Sequence, residues 1–145
     1  MAEISLRWLR APDDLSGPFG VRKAVFMDEQ GFQNEFDETD ETAYHLELRV
    51  DGSVAGCARI YSGEDGMWHV GRVAVRKEYR SLHLGSRMME AVMDKIKELG
   101  GTGAVLSAQC QAVPFYQKNG FTVVSEPYLD EHCPHQDMER RFPSR

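Results

Sequence analysis

No stretch of this 145-residue chain approaches the roughly 18 apolar residues of a membrane-spanning helix, and Met1 to Arg10 lacks the apolar core of a secretory signal. A cytoplasmic protein with no membrane partner is therefore expected. Cysteine is scarce: Cys57, Cys110 and Cys133 are odd in number, far apart and never in a CxxC pair, so neither a disulfide framework nor a zinc site is expected. His45, His69 and His132 form no metal-ligand pattern, and no metal is expected. Positive charge is also short: 17 Lys and Arg stand against 23 Asp and Glu, a net charge of -6, which argues against a general nucleic-acid binder. Repeats, linkers and low-complexity tracts are absent. At this length and 41% hydrophobic composition, residues 1–145 are expected to make one domain with a sizeable core.

The charge that is present is unevenly placed. From Asp28 to Glu41 there are seven carboxylates and no Lys or Arg, a loop able to attract a cationic amine or simply to lie solvated, pinned by Phe32 and Phe36. From Arg76 to Arg87 the sign reverses, with Arg76, Lys77, Arg80 and Arg87 against Glu78. That basic stretch reads as a strand running through a turn into a helix. A helix N-terminus offers unpaired N–H groups and a favourable dipole, so the segment reads either as an anion site or as a solvated basic face.

Ile4 to Leu9 alternates as a strand, and Asp13, Asp14 and Ser16 can cap a helix that carries Val21, Val25 and Phe26 and breaks at Gly31. Tyr44 to Val50 and Val54 to Tyr61 read as strands joined by Asp51-Gly52, where both residues tolerate positive φ; Met67 to Val75 is the third strand. Leu84, Met88, Val92, Ile96 and Leu99 mark one helix face, ended by Gly100-Gly101. A strand at Ala104 to Ala108, a short helix at Val113 to Asn119 with Pro114 in its first turn, and strands at Phe121 to Ser125 and about Asp137 to Phe142 complete the chain. The order implies an α/β mixed sheet, parallel where the long helix crosses over and covered by helices on both faces.

The turn Arg80-Ser81-Leu82-His83-Leu84-Gly85-Ser86 resembles the acyl-CoA pyrophosphate loop of the GNAT N-acetyltransferase superfamily, Q/R-x-x-G-x-G/A, with His83 in place of the first glycine. RKAVFMDEQG (22–31), AVPFYQKNGF (112–121) and PHQDM (134–138) match in order and look like the YjcF/ElaA-like branch. The PHxxM ending is also similar to that of glyphosate-acetylating relatives. The resemblance spans nearly the whole chain. It implies the GNAT acyl-CoA N-acyltransferase fold: a mostly antiparallel sheet whose central parallel strands, Met67 to Val75 and Ala104 to Ala108, splay open for acyl-CoA.

In that fold Val73, Ala74 and Val75 would pair with the pantetheine amides, a β-bulge would aim an N–H at or beside Val73 toward the thioester oxygen, and Arg80 to Ser86 would hold the pyrophosphate. Phe115 would join the acyl-CoA contacts, and Tyr116 would face the CoA sulfur and protonate the leaving thiolate; the alternative for Tyr116 is an aromatic core residue. His135 is the expected general base, with Glu29, Asp37 or water as substitutes, or else a buried histidine satisfied by a carbonyl. Arg22 and Arg72 are candidates for an anionic group of the acceptor, or for ion pairs with the acidic loop. Direct attack by the amine is preferred to a route through Cys110. The implied activity is acetyl transfer from acetyl-CoA, as co-substrate, to a primary amine of a small molecule. A protein N-acetyltransferase and a non-catalytic acyl-CoA sensor are the alternatives. Oligomeric state stays open, a homodimer included.

Overall fold

The computed structural model describes residues 2–143. Strand β1 (Ile4–Leu9) lies antiparallel to β2 (Tyr44–Val50), β2 to β3 (Ser53–Ser62), and β3 to β4 (Met67–Val75). The β2–β3 turn has Asp51 at φ 50° and Gly52 at φ 85°, the left-handed pair that this dipeptide suits. Helix α1 (Ser16–Arg22) continues as a wider π-helical stretch, Lys23–Glu29, and Gly31 at φ 79° ends it. Capping departs from expectation: Leu15 is the N-cap, and Asp14 Oδ1 instead accepts the Ser16 N–H at 2.9 Å in the turn before the helix.

Helix α2 (Leu84–Glu98) provides the crossover to β5 (Gly103–Gln109), which runs parallel to β4. Its apolar face buries Leu84, Met88, Val92 and Ile96 against Ile60, Val70 and Leu106. Val21 and Val25 of the first helical segment pack on Cys57 and Ala74. Cys57 and Ala58 are neighbours on one strand and point to opposite faces, so the two helices cover opposite sides of the sheet. After β5 come α3 (Val113–Lys118), β6 (Thr122–Val123), β7 (Tyr128–Asp130) and β8 (Cys133–Arg141). The full sheet order is β1-β2-β3-β4-β5-β8-β6, with β7 also paired to β8.

The C-terminal third differs from expectation in three ways. β6 is shorter than Phe121 to Ser125, β8 begins near Cys133 rather than Asp137, and the segment expected to be irregular holds β7. β7 is short and all three of its residues are exposed, so it carries no hydrophobic alternation to reveal it. Among the described residues no helix is long and apolar enough to cross a membrane.

Candidate active site

The sheet splits at its parallel pair. β4 and β5 pair only from Met67↔Gly103 to Val70↔Leu106, while β5 continues along β8 as far as Gln109↔His135. Beyond Val70 the β4 backbone therefore borders a cleft of about 700 Å³, lined by Val73, Ala74 and Val75 among others. A bulge sits at the split: Gly71 faces Arg59 and Ala74 faces Cys57, so Arg72 and Val73 together stand opposite Ala58. Arg72 is left-handed, φ 53°, and its carbonyl accepts from Cys57 Sγ of β3 at 3.3 Å. In a trans peptide the next N–H points the other way, so Val73 N–H is turned away from the Cys57 thiol, and Val73 itself lines the cleft.

A second hollow of about 200 Å³ adjoins it, sharing Val75 and Arg80 and adding His83, Leu84, Gly85, Ser86, Phe115 and Lys118. Here a 3-10 turn (Lys77–Leu82) enters α2 through His83, which is left-handed at φ 55° and ψ 34°. Histidine thus takes the conformation that glycine would adopt freely, at a cost of about 1 kcal/mol. The first turn of α2 has no side-chain cap and no acid, leaving its N–H groups to an anion. Gly85 permits a close approach: a Cβ there would lie 3.0 Å from the Phe115 ring. Ser81 and Leu82 lie in the turn but line neither hollow, and Leu82 is exposed. Lys118 is a cation that sequence reasoning missed, although it lies one helical turn after Phe115.

Arg80 does not face the hollow unattached. Its Nη1 and Nη2 bond Glu29 Oε2 and Oε1 at 2.6 and 2.7 Å, and Nε donates to Val75 O at 3.0 Å. The hydrogen bonds from Arg80 hold the Glu29 carboxyl below its usual range, which commits one of the substitute bases to a salt bridge.

His135 and Tyr116 line the larger cleft and are both largely buried. His135 Nδ1 lies 2.9 Å from Cys133 O; a carbonyl only accepts, so Nδ1 carries a proton, and in the neutral imidazole the lone pair falls on Nε2. Nε2 has no protein partner among the described residues. The Tyr128 ring stacks over His135 at 6.3 Å, and Phe32 meets it edge-on at 6.3 Å. Tyr116 packs edge-to-face on Phe115 and Phe121 at 5.0 and 6.0 Å, and burial pushes its phenol well above the ordinary value. It therefore stays protonated and able to donate.

Arg22 corrects an expectation. It is 1% exposed, and its Nε, Nη1 and Nη2 bond Glu35 and Asp40 at 2.7 to 3.1 Å, so it anchors the acidic loop and has no surface for a substrate. Arg72 lines the cleft, but its Nε lies 2.8 Å from Glu35 Oε2 and its Nη2 3.5 Å from Asp37 Oδ2. Arg59, not singled out in the sequence, joins the network through Asp37 and Asp40 at 2.7 and 3.0 Å. Asp37 is thereby also committed. Phe32 is buried as expected, whereas Phe36 is 44% exposed and covers the Arg22 guanidinium at 4.8 Å.

The remaining wall was not visible in the sequence. Ser107 and Asp137 face each other across β5 and β8, and the Tyr128 hydroxyl bonds Ser107 Oγ and donates to Asp137 Oδ1 at 2.5 Å. Cys110 lies outside the cleft lining and contacts Gln136, and burial pushes the Cys57 thiol up to about 12. Neither thiol is presented as a nucleophile. No three His, Cys, Asp or Glu converge as metal ligands among the described residues.

The family model described as an acetyltransferase (GNAT) domain matches residues 18–142. YjcF of Bacillus subtilis, an uncharacterized N-acetyltransferase, is 36% identical over 129 residues, covering 87% of this chain and 91% of its own. Among solved structures, ElaA of Escherichia coli superposes with a TM-score of 0.86 at 26% identity, covering 96% of this chain and 100% of that one. An acyl-CoA N-acyltransferase from Pseudomonas aeruginosa gives 0.85, also at 26% identity, over 95% and 99%.

Proposed function

Since this chain belongs to the GNAT acetyltransferase family and is an acyl-CoA-dependent enzyme, we propose that it acts as one cytoplasmic domain that acetylates a primary amine of a small molecule with acetyl-CoA. The observation that carries this reading is a single cleft lined by the bulged β4 backbone, the Tyr116 phenol and the His135 imidazole.

Acetyl-CoA lies in the split with its pantetheine along Val73 to Val75 and its pyrophosphate over His83 to Ser86, where Lys118 adds a charge. The neutral amine attacks the thioester carbon, and the N–C bond forms as the carbonyl electrons move onto oxygen. Val73 N–H stabilises that oxyanion. His135 Nε2 takes the amine proton. The C–S bond then breaks and the electron pair leaves on sulfur, toward which the Tyr116 hydroxyl donates. Burial keeps Tyr116 protonated, so its hydroxyl supports the departing sulfur through a hydrogen bond, and the thiolate takes its proton from solvent.

Free-thiol release from acetyl-CoA across a panel of primary amines tests the reading. Tyr116→Phe is expected to lower kcat about tenfold with acetyl-CoA affinity little changed. A non-catalytic sensor would show no amine-dependent thiol release in either form.

The Arg80–Glu29 pair yields a second expectation. Glu29→Gln removes the charge that holds the guanidinium, leaving it free to reach a phosphate, and should tighten CoA binding by up to about fivefold, the scale of an exposed ion pair. Calorimetric titration reads this directly, and weaker binding would show that the pair instead orders the loop.

A further inference from the structure

The charges around the cleft balance on one side and not on the other. Arg22, Arg59 and Arg72 meet Glu35, Asp37 and Asp40, and Arg80 meets Glu29. Arg59, Arg72 and Arg80 are the Lys or Arg residues lining the larger cleft, so each cation there already has a carboxylate from the chain. The facing rim carries Asp130, Glu131 and Asp137, and none of these has a Lys, Arg or His at ion-pair distance among the described residues. Glu131 accepts the Gln33 and Asn34 N–H groups at 3.0 and 3.1 Å, which ties the acidic loop to this rim. Asp137 accepts from Tyr128 through Oδ1, with Oδ2 unpartnered.

A second observation points to the ligand. His135 is only 6% exposed, yet its Nε2 lacks a protein partner, and it lies two residues before Asp137 on the same face of β8. Such residues stand about 6.5 to 7 Å apart along a strand, a span that a short methylene chain covers. Tyr61 and His69, stacked at 4.8 Å, offer an apolar surface for that chain.

We infer that the acceptor is an amine carrying a second positive charge, a diamine or polyamine, whose reacting nitrogen meets His135 Nε2 while its distal ammonium rests between Asp137, Asp130 and Glu131. This rests on the acetyltransferase reading. An anionic acceptor would instead meet three carboxylates with no free cation opposite.

The test compares kcat/KM for putrescine, butylamine and γ-aminobutyrate by thiol release from acetyl-CoA. They share a four-carbon chain and differ in whether its far end is cationic, neutral or anionic. Putrescine is expected to exceed butylamine about tenfold, with γ-aminobutyrate lowest. In Asp137→Asn, which keeps an oxygen for the Tyr128 hydroxyl, the putrescine-to-butylamine ratio should fall toward one, whereas Glu98→Gln on the exposed end of α2 should leave it unchanged. Turnover of butylamine or γ-aminobutyrate equal to or above that of putrescine overturns this inference alone, as does an unaltered ratio in Asp137→Asn. Silence with all three amines, with acetyl-CoA binding intact by calorimetry, overturns the small-molecule acceptor reading along with it.

Discussion

Replacing His135 with Gln is expected to lower kcat for amine acetylation about 100-fold or more, while acetyl-CoA affinity stays within about twofold. The size follows from the work assigned to Nε2. An alkylamine arrives protonated at neutral pH, because its pKa is about 10, and a group in the cleft must accept a proton before or during attack. The substitute carboxylates are engaged, Glu29 by Arg80 and Asp37 by Arg59 and Arg72. His135 has a fixed tautomer, with Nδ1–H donated to Cys133 O, and a ring held by Phe32 and Tyr128. Glutamine matches the imidazole in reach and polarity but cannot take the proton. Acetyl-CoA affinity separates this role from a structural one, since its proposed contacts lie on β4 and the α2 N-terminus. A variant retaining wild-type kcat would transfer the role to a water chain.

How much of this was legible in the sequence depends on whether the cause was local. Leu84, Met88, Val92 and Ile96 announce α2 because a helix repeats its buried face within a few residues, and all four are buried. Asp51-Gly52 announces its hairpin for the same kind of reason. The bulge at Arg72 and Val73 came from the resemblance to the family, not from any local signal, and the sheet register bears it out. β7 escaped because an exposed three-residue edge strand has no pattern, and with it went the Tyr128 contact to His135 and Asp137. The acidic run from Asp28 to Glu41 showed its composition but not its pairing. Glu35 and Asp40 turn inward, and the exposed Asp37 joins them, in bonding arginines 13 to 37 positions away, partners that only the folded sheet brings together.

That network underlies the largest expected loss of stability. Arg22→Met should cost about 3 to 5 kcal/mol and lower the melting temperature by about 10 °C or more. Met preserves much of the hydrophobic stem but leaves Glu35 and Asp40 buried with fewer partners. The two carboxylates will respond differently. Burial alone would raise Asp40, but bonds from Arg22 and Arg59 outweigh it and hold its pKa below the usual range. For Glu35 burial prevails and the pKa is raised despite Arg72 and Arg22. A carboxylate with a lowered folded pKa contributes stability above its unfolded value, near 3.9 for Asp, and loses it as pH falls through the folded one; the Asp40 share should therefore shrink in the variant. His45 adds an acid-side loss of its own. Burial lowers its pKa; Nε2 donates to Asp40 O at 3.0 Å, and Nδ1 is buried with no partner. The unfolded chain takes the proton first, so wild-type stability should begin to fall below about pH 6.5. Thermal melts from pH 2 to 8 read both effects: a loss under about 1 kcal/mol in Arg22→Met at neutral pH would mean that the loop is held by Arg59 and Arg72 without it.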